Sequence, residues 1–199
     1  KDRTVCIHNP QDSKLILLQA DIDDHDARFR CEGTVILSMG RLSKVKRFSE
    51  IPTIARKLID NGIEFVWYIV GDGEEKAAIE EAIEKNNVSQ QVIMLGAKSN
   101  PHFYIKRANL YVCLSSSEAC PRVINEAKIL GTPVVSTDFP TVYEYIEDGV
   151  NGIIAPLNEL SDAITNILSD NQLYVLIKHE IGSYHFDNSL LLMQIDRLL

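Results

Sequence analysis

Two glutamates flank a stretch whose residue types favour the start of a helix. Glu118 and Glu126 occur in SSSEACPRVINEAK (115–128), with Pro121 between them. Proline is tolerated at the first helical position, so we predict a helix from Pro121 to Leu130, with Glu118 in the preceding loop. The free N–H groups and the dipole of a helix N-terminus attract anions. Carboxylates accept hydrogen bonds from hydroxyls, so this arrangement suits a ligand with both phosphate and alcohol groups.

A second candidate for phosphate chemistry is the basic loop GRLSKVK (40–46). It contains Arg41, whose planar guanidinium matches phosphate oxygens, and Lys46, which is a mobile point charge. Taken alone, such a loop is more often a solvated charged surface. Further along, VGDGEE contains Gly71 and Gly73 but lacks the third glycine of a dinucleotide fingerprint. These two glycines indicate a tight turn, or a backbone that closely approaches a ligand.

The composition argues against several classes of protein. The 199 residues carry a formal charge of −8 without a cluster of Lys and Arg, so no nucleic-acid partner is expected. The apolar runs are of strand length, far short of the roughly 20 residues of a membrane span. The chain has four scattered cysteines, which are Cys6, Cys31, Cys113 and Cys120, and a reducing compartment fits this pattern best. We therefore expect a cytoplasmic protein, and the scattered His and Cys residues predict no metal site.

Six short apolar runs alternate with stretches of helical pattern. The runs cover 34–39, 63–70, 91–95, 109–114, 132–137 and 151–155. Helices are predicted at 49–61 with Ser49 as N-cap, and at 74–86, 101–107, 121–130, 142–147, 158–169 and 172–181. Near-continuous apolar strands are typical of a parallel sheet covered on both faces. The sequence thus predicts an α/β fold, a doubly wound, mainly parallel six-stranded Rossmann-like sheet with helices on both faces.

Ligands of such sheets bind outside the carboxyl ends of the strands, where the charged loops would meet. We expect residues 33–185 to form this domain. Residues 1–32 contain NPQD and the acidic run DIDDHD, and are predicted to be a linker and outer segment. The apolar tail within 186–199 is predicted to be a closing helix.

The order of the motifs resembles the C-terminal domain of family 4 retaining glycosyltransferases of the GT-B fold. The likeness runs from Val5 to about Leu168, and NPQD is similar to the hinge segment of that family. The segments that carry it are G-R-L-x-x-x-K, V-G-D-G, L-G before an aromatic-bearing helix, S-S-x-E-x7-E-A, L-G-T-P-V-V-S-T-D and D-G-x-N-G. One such motif is weak, whereas six in order support one another.

The resemblance implies that the domain holds a nucleotide diphosphate sugar as donor substrate, with no metal or further cofactor. Catalytic roles then fall to Arg41 and Lys46, which would grip the diphosphate, and to Glu118, which would hold hydroxyls of the donor sugar. Glu126 would accept hydrogen bonds from the ribose. The other donor-binding positions, which contribute backbone or wall, would be Gly40, Gly71, Leu95, Gly96, Cys120, Pro121, Arg122 and Val123.

The resemblance also implies partners. A missing N-terminal domain of the same enzyme would bind a carbohydrate or lipid-linked acceptor, and any membrane contact would be peripheral, through that domain. The fragment alone would bind donor and transfer little. Two departures leave the donor sugar open: Arg47 stands where the family usually has glycine, and E-A-C-P (118–121) replaces E-G-F-G.

Two alternatives stay open beside the glycosyltransferase. One is a nucleotide-sugar epimerase or phosphorylase of the same fold, although the glutamate and histidine pattern differs from that of epimerases and no phosphorylase cofactor lysine can be placed. The other is a non-catalytic module that only binds nucleotide sugars.

Overall fold

Six parallel strands form a single sheet in the computed structural model, which describes residues 11–182, 184, 186 and 188. The strands are β1 (Val35–Met39), β2 (Val66–Val70), β3 (Val92–Gly96), β4 (Leu110–Cys113), β5 (Val134–Thr137) and β6 (Ile153–Ala155). Their order is β3-β2-β1-β4-β5-β6, and every neighbouring pair is parallel. This is the strand order of the Rossmann fold, so the predicted fold class is confirmed.

Helices connect the strands and cover both faces of the sheet. They are α1 (Ser13–Ala20), α2 (Ile51–Asp60), α3 (Lys76–Lys85), α4 (Pro101–Arg107), α5 (Arg122–Ile129), α6 (Leu160–Ser169) and α7 (Asn171–Gly182). Short 3-10 turns occur at Lys44–Lys46, Phe48–Glu50, Val142–Glu144 and Leu157–Glu159. No described helix is long and apolar enough to cross a membrane.

The core lies in two layers, one on each side of the sheet. Alternate residues of β2 show the division: Trp67 and Ile69 enter the layer under α2, α3 and α6, whereas Tyr68 and Val70 enter the layer under α4 and α5. Successive side chains of a strand point to opposite faces, so a strand buried on both faces is mostly apolar. The continuous apolar runs of the sequence have this physical cause.

Several predicted boundaries are wrong in detail. Ser49 is not an N-cap, because it lies inside the 3-10 turn that precedes α2, and α2 begins at Ile51. The helix predicted from Pro121 begins at Arg122, and Pro121 itself is the residue before it, with ψ 71°. The helix predicted at 142–147 is reduced to a single 3-10 turn.

A helix that the sequence analysis did not predict lies in the outer segment. In α1, the carboxylate of Asp12 accepts hydrogen bonds from the amides of Lys14 and Leu15, which caps the helix. Ile16 and Ala20 are buried, and α1 packs against α4 and α5. The predicted closing helix lies outside the described residues, apart from positions 186 and 188.

Candidate functional site

Arg41, Lys46 and Glu118 come from the loops that follow β1 and β4, the two central neighbours of the sheet. In this fold the connections diverge at that point and open a crevice at the carboxyl ends of the strands. The two loops are tied together across it, because the amide of Ser116 donates to the carbonyl of Val45 at 2.8 Å. The hydroxyl of Ser116 contacts the same carbonyl at 3.3 Å. The basic loop is thereby held against the acidic one.

Lys46 and Glu118 form an ion pair at this junction. Lys46 Nζ lies 2.5 Å from Glu118 Oε1, and the two side chains are 23% and 14% exposed. The hydroxyl of Ser115 donates to the same Oε1 at 2.6 Å, and that of Thr141 donates to the Glu118 carbonyl at 2.6 Å. Within the described residues both carboxylate contacts end on Oε1, so Oε2 is the oxygen that a ligand hydroxyl would meet.

Arg41 is not part of this cluster. Its guanidinium is 76% exposed and lies 3.3 Å from the Glu74 carboxylate, which is also exposed. Such exposed pairs contribute little to stability, about 0–1 kcal/mol, so this one restrains Arg41 weakly. The side chain can therefore exchange Glu74 for another anion at small cost.

Glycines bring the loops after β1 and β2 into backbone contact. A Cβ atom on Gly71 would lie 1.8 Å from the carbonyl oxygen of Gly40, and one on Gly73 would lie 2.5 Å from that of Leu42. Both have positive φ, 148° and 157°. The two glycines therefore allow two loops of the chain itself to approach each other closely. A Cβ atom on Gly40 would lie 3.4 Å from Cε of Lys46, so the stem of Lys46 passes close to this glycine.

The start of α5 offers fewer free N–H groups than the sequence suggested. Pro121 has none, and the amide of Arg122 donates to the carbonyl of Cys120 at 2.8 Å. In the described part of the chain the amides of Cys120 and Val123 make no hydrogen bond, and they are the donors left for a ligand. The Cys120 thiol, half-buried, accepts a hydrogen bond from the Tyr145 hydroxyl at 3.5 Å.

Glu126 is buried on α5 between two basic side chains. Its Oε1 lies 3.7 Å from Arg122 Nη2, and its Oε2 lies 3.7 Å from Nε2 of His102 on α4. Burial raises the pKa of Glu126. Burial, with a smaller effect of Arg122, lowers the pKa of His102. His102 was not among the predicted site residues, because a single histidine in a helical pattern carries no spacing signal.

The acidic run of the outer segment braces the loop after β3. Asp26 lies 2.6 Å from Lys98, and hydrogen bonds from Arg28 and Lys98 hold the pKa of Asp26 well below its usual range. Arg28 also donates to the carbonyl of Leu95 at 2.9 Å. The carbonyl of Gly96 accepts from the amide of Gly71 at 3.0 Å. The segment that contains Leu95 and Gly96, two predicted donor-binding positions, is therefore tied to its neighbours on two sides.

The geometry is that of a doubly wound α/β domain with charged groups at its switch point, and the sequence match makes the class specific. Residues 21–180 match the family model described as "Glycosyl transferases group 1", so the chain belongs to this family of glycosyltransferases.

Curated relatives agree. An uncharacterized glycosyltransferase of Methanocaldococcus jannaschii is 32% identical over 130 residues, covering 65% of this chain and 30% of that protein. The lipopolysaccharide core biosynthesis glycosyltransferase LpsE of Rhizobium meliloti is 30% identical over 145 residues, covering 71% of this chain and 42% of LpsE. The chain spans less than half the length of these relatives.

Solved structures share the fold. A mutant of S. aureus TarM in complex with fondaparinux, α-GlcNAc-glycerol and UDP has a TM-score of 0.76 and 21% identity, covering 89% of this chain and 38% of TarM. Anabaena HepE in complex with UDP and glucose has a TM-score of 0.72 and 24% identity, covering 83% of this chain and 48% of HepE. These likenesses establish a GT-B-type Rossmann-like sheet.

Proposed function

We propose that this domain is the donor-binding half of a retaining glycosyltransferase, which moves a sugar from a nucleotide diphosphate sugar to a carbohydrate or lipid-linked acceptor. The observation that carries the proposal is the arrangement around the start of α5. The Lys46–Glu118 pair lies at the loop before this helix, and the Glu126 carboxylate lies within it. A cation and two separate carboxylates suit a ligand with one diphosphate and two hydroxyl-bearing sugars.

Each side chain has a role in this proposal. Lys46 and Arg41 stabilise the charge that develops on the leaving diphosphate, which is an electrostatic contribution to the transition state. Glu118 accepts hydrogen bonds from the transferred sugar through Oε2, and Glu126 accepts them from the ribose. Lys46 has three N–H donors, so it can hold Glu118 and a phosphate oxygen together. The ion pair thus sets the distance between the transferred sugar and the diphosphate.

Backbone groups complete the donor site in the same proposal. The amides of Cys120 and Val123 meet phosphate or sugar oxygens at the helix start, where the dipole favours an anion. Pro121 and Arg122 form the wall beside them. Leu95 and Gly96 border the base, and Gly40 and Gly71 hold the phosphate-facing loop in place.

The similar proteins support the chemical class of the donor. The structures of HepE and TarM described above are complexes with UDP, and that of HepE also contains glucose. The chain covers 30% and 42% of the two relatives, which supports assigning the acceptor side to a part of the enzyme outside this chain. We propose that this part is an N-terminal domain that closes over the donor and excludes water from the reacting bond.

Ligand-observed NMR with UDP, GDP and ADP sugars tests the proposal directly. We expect one nucleotide class to give saturation transfer to ribose and to the terminal sugar, and Lys46→Ala to abolish most of it. Lys44→Ala is the matched control, because Lys44 lies in the same 3-10 turn but is exposed and outside the ion pair. The donor-site assignment would be overturned if no donor showed saturation transfer. It would also be overturned if Lys46→Ala and Lys44→Ala lost equal amounts of saturation transfer.

A further inference from the structure

His102 presents a buried group without a partner at the edge of the donor site. Neither Nδ1 nor Nε2 of its ring makes a hydrogen bond in the described part of the chain, and both atoms are inaccessible to solvent. A buried polar atom without a partner costs about 1–3 kcal/mol, and such atoms are rare in folded proteins. The unsatisfied ring therefore needs a physical explanation.

The group nearest to Nε2 is the carboxylate proposed to bind ribose. Nε2 lies 3.7 Å from Glu126 Oε2, which exceeds the upper limit of about 3.2 Å for a hydrogen bond. The other oxygen, Oε1, lies 3.7 Å from Arg122. The carboxylate thus stands between two donors and touches neither closely. A displacement of well under 1 Å would close the contact to His102.

The start of α4 is held by hydrogen bonds, so we take the carboxylate as the partner that moves. Asn100, just before α4, donates from its amide to Asp24 at 2.8 Å and from its side chain to the carbonyls of Gln19 and Ile22 at 2.7 and 2.9 Å. The hydroxyl of Tyr104 is bonded to the Asp24 carbonyl. The acidic outer segment therefore holds the helix that carries His102.

We propose that His102 is a positioning residue for nucleotide binding: its Nε2–H donates to Glu126 when the ribose engages that carboxylate, and orients the remaining lone pairs toward the ribose hydroxyls. This inference rests on the proposed function, in which Glu126 receives the ribose. The neutral imidazole suffices for the role, because one ring nitrogen of a neutral histidine is a donor. Arg122 supplies the second restraint on the carboxylate from within α5.

The test compares affinities of UDP, GDP and ADP with those of their 2′-deoxy counterparts by calorimetry. Parent protein is expected to prefer the ribose form. His102→Phe keeps the aromatic bulk but removes the donor, so the preference should fall about fivefold, the effect of one hydrogen bond. His102→Gln restores a neutral N–H donor and should retain the parent preference. Glu126→Gln should remove the preference whichever residue stands at position 102.

The outcomes distinguish a failure of the proposed function from a failure of the role proposed for His102. A parent that binds no nucleoside diphosphate overturns both the proposed function and this inference. A parent that prefers ribose, with His102→Phe folded and equally selective, overturns the inference alone. The same holds if His102→Gln is as unselective as His102→Phe, because ring packing would then explain the effect.

A second measurement keeps the inference testable if His102→Phe does not fold. Nitrogen-15 NMR of the histidine rings in the parent protein should show the Nε2–H of His102 become hydrogen-bonded on addition of the nucleotide that binds. The 2′-deoxy form should give a smaller change. Ring signals of His102 that do not respond to the bound nucleotide would overturn the inference.

Discussion

The carbonyl oxygen of Gly40 lies 1.8 Å from the point at which a Cβ atom on Gly71 would stand. The two residues end neighbouring strands, and the amide of Gly40 donates to the carbonyl of Val70 at 3.0 Å. A Cβ atom built on Gly40 would in turn lie 3.4 Å from Cε of Lys46, so the stem of Lys46 passes close to the backbone that packs against Gly71.

Gly71→Ala is expected to destabilise the domain by about 3 kcal/mol or more, since it combines a backbone clash with a positive φ. Gly62→Ala is the matched control: φ is +76° there, but no atom lies within 4 Å of the added Cβ. That variant should lose only the strain of the left-handed conformation, about 1–2 kcal/mol. Urea unfolding measures the stability of both variants. Equal losses in free energy of unfolding would contradict the close approach between Gly71 and Gly40.

Arg47→Gly is expected to stabilise the domain. Arg47 has φ 52° and ψ 31°, a left-handed conformation that costs a side-chain-bearing residue about 1–2 kcal/mol. Glycine avoids that cost but loses about 0.4–1 kcal/mol through the entropy of the unfolded chain, so a net gain of about 0–1.6 kcal/mol remains. Lys44→Gly, in the adjoining 3-10 turn, should destabilise instead. Thermal unfolding of both variants checks the signs, and a loss in Arg47→Gly would refute the argument.

The strands were predictable because burial on both faces forces a continuous apolar run, as Trp67 and Tyr68 show by entering opposite layers. Helix α1 was not predictable from periodicity, since Leu15, Leu17 and Leu18 remain exposed beside the buried Ile16. Its signal was the cap at Asp12, which the sequence analysis attributed to a hinge motif. Local capping chemistry decided the structure there.

The sequence predicts candidate site residues, but it does not predict the contacts that the structure shows between them. Lys46 and Glu118 were assigned separately to phosphate and sugar, and their pairing across 72 residues follows only from the adjacency of β1 and β4. Arg41 was grouped with Lys46, whereas it points to Glu74. Tertiary adjacency of this kind has no signature in residue types, and His102 was missed for the same reason.

Lys128 should make stability depend on alkaline pH. The side chain is buried, donates to the Tyr145 carbonyl at 2.8 Å and lies 4.0 Å from the centroid of the Tyr184 ring. Burial lowers the pKa of Lys128 from 10.5 to about 8. The unfolded chain therefore binds more protons between these two values, so this residue makes the free energy of unfolding rise with pH across that window.

Lys128→Met removes this contribution. Relative to the variant, the free energy of unfolding of the parent should rise by on the order of 3 kcal/mol from below pH 8 to above pH 10.5. This rise is the energetic equivalent of the difference between the two pKa values. Lys85→Met, at an exposed position of α3, is the control and should show no such relative gain. Denaturant unfolding at a series of pH values gives the comparison, and a pH-independent difference between parent and Lys128→Met would contradict the prediction.

Arg41→Ala should weaken nucleoside diphosphate binding by about 1.5–3 kcal/mol, the range of a charge-assisted hydrogen bond. The variant should fold normally, because the exposed contact with Glu74 stabilises the domain little. Arg56→Ala is a suitable control, since Arg56 forms a similar exposed pair with Asp60 on α2. Calorimetry that finds unchanged UDP, GDP and ADP affinity in Arg41→Ala would remove Arg41 from the donor site.

The final prediction concerns the division of labour between the halves of the enzyme. The chain covers 30% and 42% of its two relatives. In the proposed function, Lys46, Glu118 and Glu126 serve the donor, and none of them is assigned to acceptor activation. We therefore expect the 199-residue chain to bind donor without measurable glycosyl transfer. Transfer should appear once an N-terminal domain is joined to it, because cleft closure brings the acceptor to the donor and excludes water.

Release of nucleoside diphosphate, with and without acceptor, measures both states. In the joined enzyme, Lys46→Ala should lose transfer while Lys44→Ala keeps it, which ties the activity to the ion pair described above. Robust transfer by the 199-residue chain alone would show that acceptor binding and catalysis both reside in this domain.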